Sequence, residues 1–348
     1  MTLPVALVDR WPMEEYKLQH SDICLALKHN VSDALKLYHE LQELRTQFTS
    51  DTDKDSRRAD KNLELLIREK EERYFRLTKF SDYPAMIMAA YPDSRFLDKS
   101  KYWEECENIN GPVIIRGIAN GKIGNHAVKN KKDYYFIETG YLGNYRSNNN
   151  RTGRKVYHRI VKNAMQHPDI MDVPDDRWKQ LVKFNPNLQY HGWRKPGSKI
   201  LLVLSTQKPF EYYGQDRERW IKNTIRTIKR HTDREIVIRE KASRGTRTNE
   251  TIYDALGDDI YALVTYNSIA AVEAVQYGIP AFALAPTAAA PVCSDNLKQI
   301  ENPVKPDEDI VYKWLCSIAY GQFSLNEMLS GQAWQMVLEN NERQILRY

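Results

Sequence analysis

The chain has little cysteine: four in 348 residues, Cys24, Cys106, Cys293 and Cys316, widely scattered and with no C-x-x-C pair. Neither a disulfide framework nor a thiolate zinc site is expected, which fits a reducing cytoplasm. No window holds about 18 consecutive apolar residues, so no membrane-crossing helix is expected. The opening MTLPVALVDRWPMEEYK lacks the basic start and long apolar core of a secretory signal. Familiar nucleotide motifs are also missing. Without G-x-x-x-x-G-K-[ST] the sequence argues against a P-loop enzyme, and without G-x-G-x-x-G after a strand it argues against a dinucleotide oxidoreductase. G-x-S-x-G and H-E-x-x-H are absent as well.

Acidic residues are missing in one place. Between Glu138 and Asp169 there is none, while Arg146, Arg151, Arg154, Lys155, Arg159 and Lys162 all fall there. The net charge of +5 is mild, so this segment matters more than the total. Tyr134, Tyr135, Tyr141, Tyr145 and Tyr157 are interleaved with it, and aromatics among arginines can stack bases and grip phosphates. The plainer reading is a solvated basic loop over a tyrosine-rich core. Hydrophobic residues at 42% and charged residues at 28% otherwise describe an ordinary soluble globular chain.

Residues 14 to about 80 read as helical. SDALKLYHELQELRTQF sets Leu35, Tyr38, Leu41 and Leu44 at three-residue steps, and LELLIREKEERYFRL follows a polar break. A helical hairpin with a charged outer face is expected over 1–82. From 84 the texture changes to short β-rich runs, PAMIMAA, GPVIIRGI and DYYFIE, bounded by Gly, Pro and Asn. They suggest a first α/β domain over 83–195, ending in GWRKPGS, a linker or domain-crossing turn. Residues 196–305 alternate clearly: KILLVLS, REIVIRE, DIYALVTY and IPAFALA as strands, with DRERWIKNTIRTIKRH, NETIYDAL and SIAAVEAVQYG as helices. That alternation specifies a parallel sheet covered by helices. Helices packing back across the domains are expected over 306–348.

In an open parallel sheet, ligands bind beyond the carboxyl ends of the strands. Those ends carry Ser205, Thr206 and Lys208, then Lys241 and Arg244, then Thr265, Asn267 and Ser268. Hydroxyls and cations of this kind suit phosphates and sugars, and a helix starting near Asn267 or Ser268 would add free N–H groups. Ordinary N-capping is the competing explanation. Glu273 lies on an otherwise apolar helix, where an acid needs a partner or a surface position. No metal site is indicated. The D-x-D triplets at 51–53 and 307–309 read as helix starts, although a divalent ion with the donor is possible.

The first domain holds the other candidates. DYYFIETGYLGN ends a strand on Glu138, which is either a base facing a cleft or a residue of a turn. GIANGKIGNH brings His126, and VYHRIVKNAMQH brings His158, Arg159, Lys162, Asn163 and Gln166.

TYNSIAAVEAVQYGIPAFALAP resembles the donor-binding half of GT-B glycosyltransferases: a small-residue loop, a helix carrying an acid, then G-x-P. DYYFIETGYLGN with YHRIVKNAMQ, followed by APTAAAPV and WLCSIAYGQFSLNEMLSG, is similar to phage-encoded glycosyltransferases, some of which modify hydroxymethylated pyrimidines in DNA. The resemblance covers roughly 110–335, and a second glycine-rich donor loop is not evident. It implies a GT-B-like pair of Rossmann-like α/β domains. A nucleotide-sugar, with a UDP-sugar expected, would be held by Ser205, Thr206, Lys208, Lys241, Arg244, Thr265, Asn267, Ser268 and Glu273. No obligatory cofactor is implied. The acceptor would be double-stranded DNA carrying a modified pyrimidine, met by Tyr141, Asn144, Arg146, Arg151, Arg154, Arg159, Lys162 and Asn163. Glu138 is the first choice of base, with His126, His158 and Asp133 behind it. A polysaccharide or other glycan acceptor is the alternative, and an inert DNA-binding protein of the same fold the second. A cytoplasmic monomer is expected, in the host bacterium if the gene is a phage's.

Overall fold

The computed structural model describes residues 24–27, 40, 43–44, 65–67, 69–70, 95–109, 111–118, 121–144, 157–240, 251–324, 327–328 and 332–348. The chain forms two compact units: 1–115 with 127–134 and 325–335, and 116–126 with 135–324 and 336–348.

In the first unit β1 (Cys24–Leu27) lies between β2 (Arg95–Asp98) and β3 (Val113–Arg116) and is parallel to both. This differs from the helix expected over 14–80. CLAL is four residues long, too short for any periodicity to separate a central strand from a buried helical turn. The first 82 residues thus contribute a strand to the sheet that the next segment builds. Helical residues do occur at 40, 43–44, 65–67 and 69–70, and Lys70 Nζ bonds Glu40 Oε2 at 2.6 Å. The rest of the expected hairpin, and PAMIMAA, lie outside the described residues. After β2 comes α1 (Lys99–Glu105), whose Tyr102 is buried. Lys132 Nζ closes this unit's loop onto Cys106 O at 2.9 Å.

The second unit contains α2 (Gly121–Lys129) in part, then β4 (Tyr134–Thr139) from Tyr135 onward and β5 (Tyr157–Lys162). β4 and β5 are antiparallel, and β11 (Gln322–Ser324) adds antiparallel to β5. Parallel pairing was expected throughout. It holds for β1–β3 and for the second sheet, but the return of the chain from 139 to 157 brings YHRIVK back as a neighbour of YYFIET. A short pair, β6 (Ile170–Met171) with β12 (Ile345–Leu346), ties in the C-terminus. Next come α3 (Asp176–Phe184) and the strap of residues 189–198.

The second sheet is all parallel, in the order β10-β9-β7-β8. Its elements run β7 (Lys199–Leu204), α4 (Gln207–Tyr212), α5 (Arg217–His231), β8 (Ile236–Glu240), α6 (Ile252–Ala255), β9 (Ile260–Thr265), α7 (Ala270–Gln276) and β10 (Ala281–Ala283). After Lys199, ILLVL is continuously apolar because both faces are covered. Ile200, Leu202 and Leu204 meet Ile228 of α5, while Leu201 and Val203 belong to the core formed with α7 and α8 (Glu308–Tyr320). The Asp216 side chain caps α5 by accepting from Arg219 N–H at 2.6 Å, and Lys229, Arg230 and His231 lie at its negative end. Asp307 stands at the N-cap of α8 with Glu308 and Asp309 in its first turn, so this D-x-D is a helix start. The last helix is α9 (Gln332–Asn341).

The segment expected as a linker, GWRKPGS, is packed. Arg194 N–H donates to Gly278 O at 2.9 Å, its Nη1 to Leu256 O at 2.9 Å, and Trp193 Nε1 to Pro306 O at 3.0 Å. The expected boundary at 195/196 falls inside the second unit. Gly278 ends α7 at φ +80°, and a Cβ there would run into the Gly192 carbonyl oxygen. Gly278→Ala is therefore expected to cost about 2–4 kcal/mol through strain and displacement of the strap. Gly257, with open space around it and no positive φ, is the control: Gly257→Ala should stay within roughly 0.5 kcal/mol. Urea titrations giving equal midpoints for the two variants would contradict this reading.

Candidate functional site

After β7 the chain builds β8 on one side, then crosses back to place β9 on the other side of β7. The connections leave in opposite directions, so the carboxyl ends of β7 and β9 are the sheet's switch point, the place where such folds open a ligand crevice. Ser205 and Thr206 follow β7, and Tyr266, Asn267 and Ser268 follow β9. Ser205 and Asn267 are 6% and 8% exposed, and Ser205 Oγ lies 3.5 Å from Asn267 Oδ1. At that length the contact is weak, and both groups keep hydrogen-bonding capacity for another partner. Arg217 fixes the end of β7, donating from Nε to Ser205 O at 3.1 Å while its Nη2 pairs with Glu240 at the end of β8.

An aromatic cluster backs these strand ends. Tyr266 stacks on Phe210 with centroids 4.1 Å apart, meets Trp220 edge-on at 5.4 Å and Tyr213 at 6.1 Å. Such packing holds the loops after β7 and β9 in one arrangement.

The β4–β5–β11 layer supplies further groups. Glu138 and Arg159 are directly opposed in the β4–β5 register, and directly opposed residues share a face. Phe136 lies on that face as well, and the Arg159 guanidinium stands 5.5 Å from its ring and 5.3 Å from that of Tyr141. Arg159 Nε donates to Met165 O at 3.0 Å and Nη1 to Thr139 O at 2.6 Å. The Glu138 carboxylate turns to its own neighbour, accepting from Thr139 N–H at 3.0 Å and Thr139 Oγ1 at 3.3 Å. Its other oxygen lies beside Gly117.

The loop after β5 joins this layer to the parallel sheet. Gln166 Nε2 donates to Asn267 O at 3.0 Å, and Gln166 Oε1 accepts from Ala288 N–H at 3.1 Å. Trp314 Nε1 holds Ala288 O from behind at 2.7 Å. The next residue, His167, gives its backbone N–H to the Tyr141 hydroxyl at 2.9 Å, and that hydroxyl lies 3.0 Å from His167 Nδ1. Desolvation and then the Arg159 charge lower the His167 imidazole to about 3, so it is neutral and Nδ1 accepts from the phenol. Burial pushes the Tyr141 phenol up to about 12 despite Arg159.

The expected site residues separate accordingly. Ser205, Thr206, Asn267 and Ser268 come together at the crevice, with Lys208 exposed in the first turn of α4. The helix expected to start at Asn267 or Ser268 starts at Ala270, and Ser268 Oγ accepts from Ala270 N–H at 3.2 Å. Thr265 is fully buried and donates to Val203 O at 2.8 Å, inside the sheet rather than on its edge. Glu273 is half-buried on α7.

Of the expected DNA contacts, Tyr141 and Arg159 are buried, at 1% and 7% exposure. Asn144 commits both ends of its amide to the Tyr157 backbone, at 2.9 and 3.1 Å. Lys162 is half-buried and Asn163 exposed, in a left-handed turn at φ +54°. His158 is 2% exposed within the β4–β5–β11 sheet, and His126 is half-buried on α2. Arg146, Arg151, Arg154, Lys241 and Arg244 lie outside the described residues. In the sequence Gln166 stood without a role, Tyr266 was one of the strand-end residues, and His167 and Tyr213 were passed over. The signal available was Gln-His-Pro closing the acid-free segment. Among the described residues no group of His, Cys, Asp and Glu could hold a metal, and no helix is long and apolar enough to cross a membrane.

The His167 geometry has a pH consequence. An unfolded chain protonates this residue near pH 6.5, whereas the folded chain does so only near pH 3. The unfolded state therefore binds more protons between those values. The contribution of the neutral imidazole is complete above pH 6.5 and is lost as the pH falls toward 3. His167→Gln should flatten the acid limb of the melting temperature between pH 6.5 and 4. An unchanged slope would place the acid sensitivity elsewhere.

No model of a known protein family matches the chain. A search of curated proteins by sequence finds no match either. Among solved structures, the Thermosulfurimonas dismutans KpsC, a beta Kdo 2,7 transferase, is similar at 11% identity and a TM-score of 0.41. The likeness covers 73% of this chain and 95% of that one, and is too distant to carry a function across.

Proposed function

We propose that the chain is a glycosyltransferase taking its sugar from a nucleoside-diphosphate donor and passing it to a hydroxyl of a glycan acceptor. The observation that carries the reading is the crevice at the ends of β7 and β9, where Ser205 and Asn267 are nearly buried yet only weakly bonded to each other. Such a switch point in an open parallel sheet is where ligands bind, nucleotides among them, which supports the reading. The sequence around it supports a sugar donor: a polar loop at 265–268, an α7 bearing Glu273, and Gly278-Ile279-Pro280 leading into β10.

A glycan acceptor fits better than DNA because the aromatics expected to stack on bases face inward. Tyr134, Tyr135 and Tyr141 are all more than nine-tenths buried. They are core residues, and stacking on bases requires exposure.

In the reaction, the acceptor oxygen bonds the anomeric carbon as the bond from that carbon to the diphosphate oxygen breaks. The acceptor proton goes to a carboxylate if the configuration inverts, and Glu138 is the group proposed for it. The leaving diphosphate takes the electron pair and is met by the polar groups at the strand ends.

The test is a panel of nucleotide-sugars, UDP-sugars first, against glycan acceptors and against DNA containing hydroxymethylcytosine or hydroxymethyluracil, with products read by mass spectrometry. Mass gain on a glycan is the expected result. Gain on DNA alone would replace the acceptor, and no gain with any pair would sink the proposal. In the active pair, Glu138→Gln should lower kcat by roughly 10²-fold or more with little change in acceptor KM. Near-normal turnover would remove Glu138 as the base.

A further inference from the structure

Arg159 is a strongly buried cation with an unusual set of partners. Among the described residues no carboxylate lies within ion-pair distance, and its bonds go to two backbone carbonyls, Met165 O and Thr139 O. Opposite it on β5's neighbour, Glu138 is turned to Thr139 and Gly117 instead. A guanidinium carries five N–H donors. Two are used by those carbonyls, which leaves three without a partner among the described residues. Removing a charge from water without a counter-ion is costly, and carbonyl dipoles and ring faces compensate only part of it.

The position of the charge is informative. Arg159 Nε bonds Met165 O at 3.0 Å, and the residue after Met165, Gln166, donates to Asn267 O at 3.0 Å beyond β9, so the cation stands one residue away from the tie to the strand ends. The neutral His167 and the Tyr141 phenol offer no negative charge to satisfy it.

We infer that Arg159 binds a substrate oxyanion in this crevice through its remaining N–H groups, either a phosphate of the nucleoside diphosphate or the carboxylate of an acidic sugar. Both present paired oxygens that a guanidinium edge grips in two parallel hydrogen bonds. Arg159 thereby supplies positive charge at the donor site from the opposite wall, a role distinct from contact with a DNA backbone. The inference deepens the proposed donor site, and for its phosphate source it rests on that reading.

Calorimetric titrations of pyrophosphate, UDP and glucuronate into the wild type and Arg159→Met test it. The expected result is that at least one anion binds the wild type and loses affinity by about 30-fold or more in Arg159→Met. Arg159→Lys, which keeps the charge but not the fork, should recover only part of the loss. Loss for pyrophosphate and UDP assigns a phosphate, and loss for glucuronate alone assigns a carboxylate. If UDP binds both proteins equally and neither pyrophosphate nor glucuronate loses affinity, the donor site stands and the role of Arg159 falls. If UDP does not bind but another anion does so through Arg159, the donor reading fails and the oxyanion site stands. Should Arg159→Met not fold, phenylglyoxal labelling of the wild type at Arg159 replaces it. Protection by one of the three anions supports the inference, and equal labelling with and without all three overturns it.

Discussion

The Gln166 carboxamide commits both of its ends to backbone: Asn267 O at 3.0 Å and Ala288 N–H at 3.1 Å. It comes from the loop that leaves β5, and it grips the loops that follow β9 and β10. A buried amide with both ends satisfied fixes register as well as contributing stability, because losing either partner would strand a polar atom out of water. Around this tie the rest of the site falls into order. His167 lands against Tyr141, Met165 O lands on Arg159, and Asn267 is held where its side chain meets Ser205.

The consequence is two different sets of groups on either side of the Gln166 tie. The parallel sheet offers neutral polar groups at strand ends, kept in place by the Phe210, Trp220 and Tyr266 cluster and by the Arg217 bond to Ser205 O. The β4–β5 layer offers a carboxylate and a guanidinium on one face, turned away from each other. The proposed reaction, in which an anion leaves and a proton is accepted, would gain from that separation. An ion pair between Glu138 and Arg159 would neutralise both groups for it.

Much of this was legible in the sequence, and the exceptions have physical causes. ILLVL, IYALVT and the helix between Asp216 and Thr232 declare themselves because a doubly covered strand is continuously apolar and Asp216 is a good cap. Ser205 and Asn267 followed from the strand ends. β1 was hidden because four residues carry no period. YHRIVK was misread because its charges look solvated, whereas Phe136 and Tyr141 cover Arg159 from positions that only the antiparallel return brings near. Thr265 looked like a ligand group, but its hydroxyl had a nearer acceptor in Val203 O.

The central claim is that a nucleoside diphosphate occupies the crevice beyond β7 and β9. Amide hydrogen exchange with and without saturating UDP tests it most directly, since local protection reports where a ligand sits as well as whether it binds. The account predicts slower exchange at 205–208 and 266–270 together, with 166–167 following through the Gln166 tie. UDP that binds while slowing exchange only elsewhere, or that alters exchange nowhere, would contradict it.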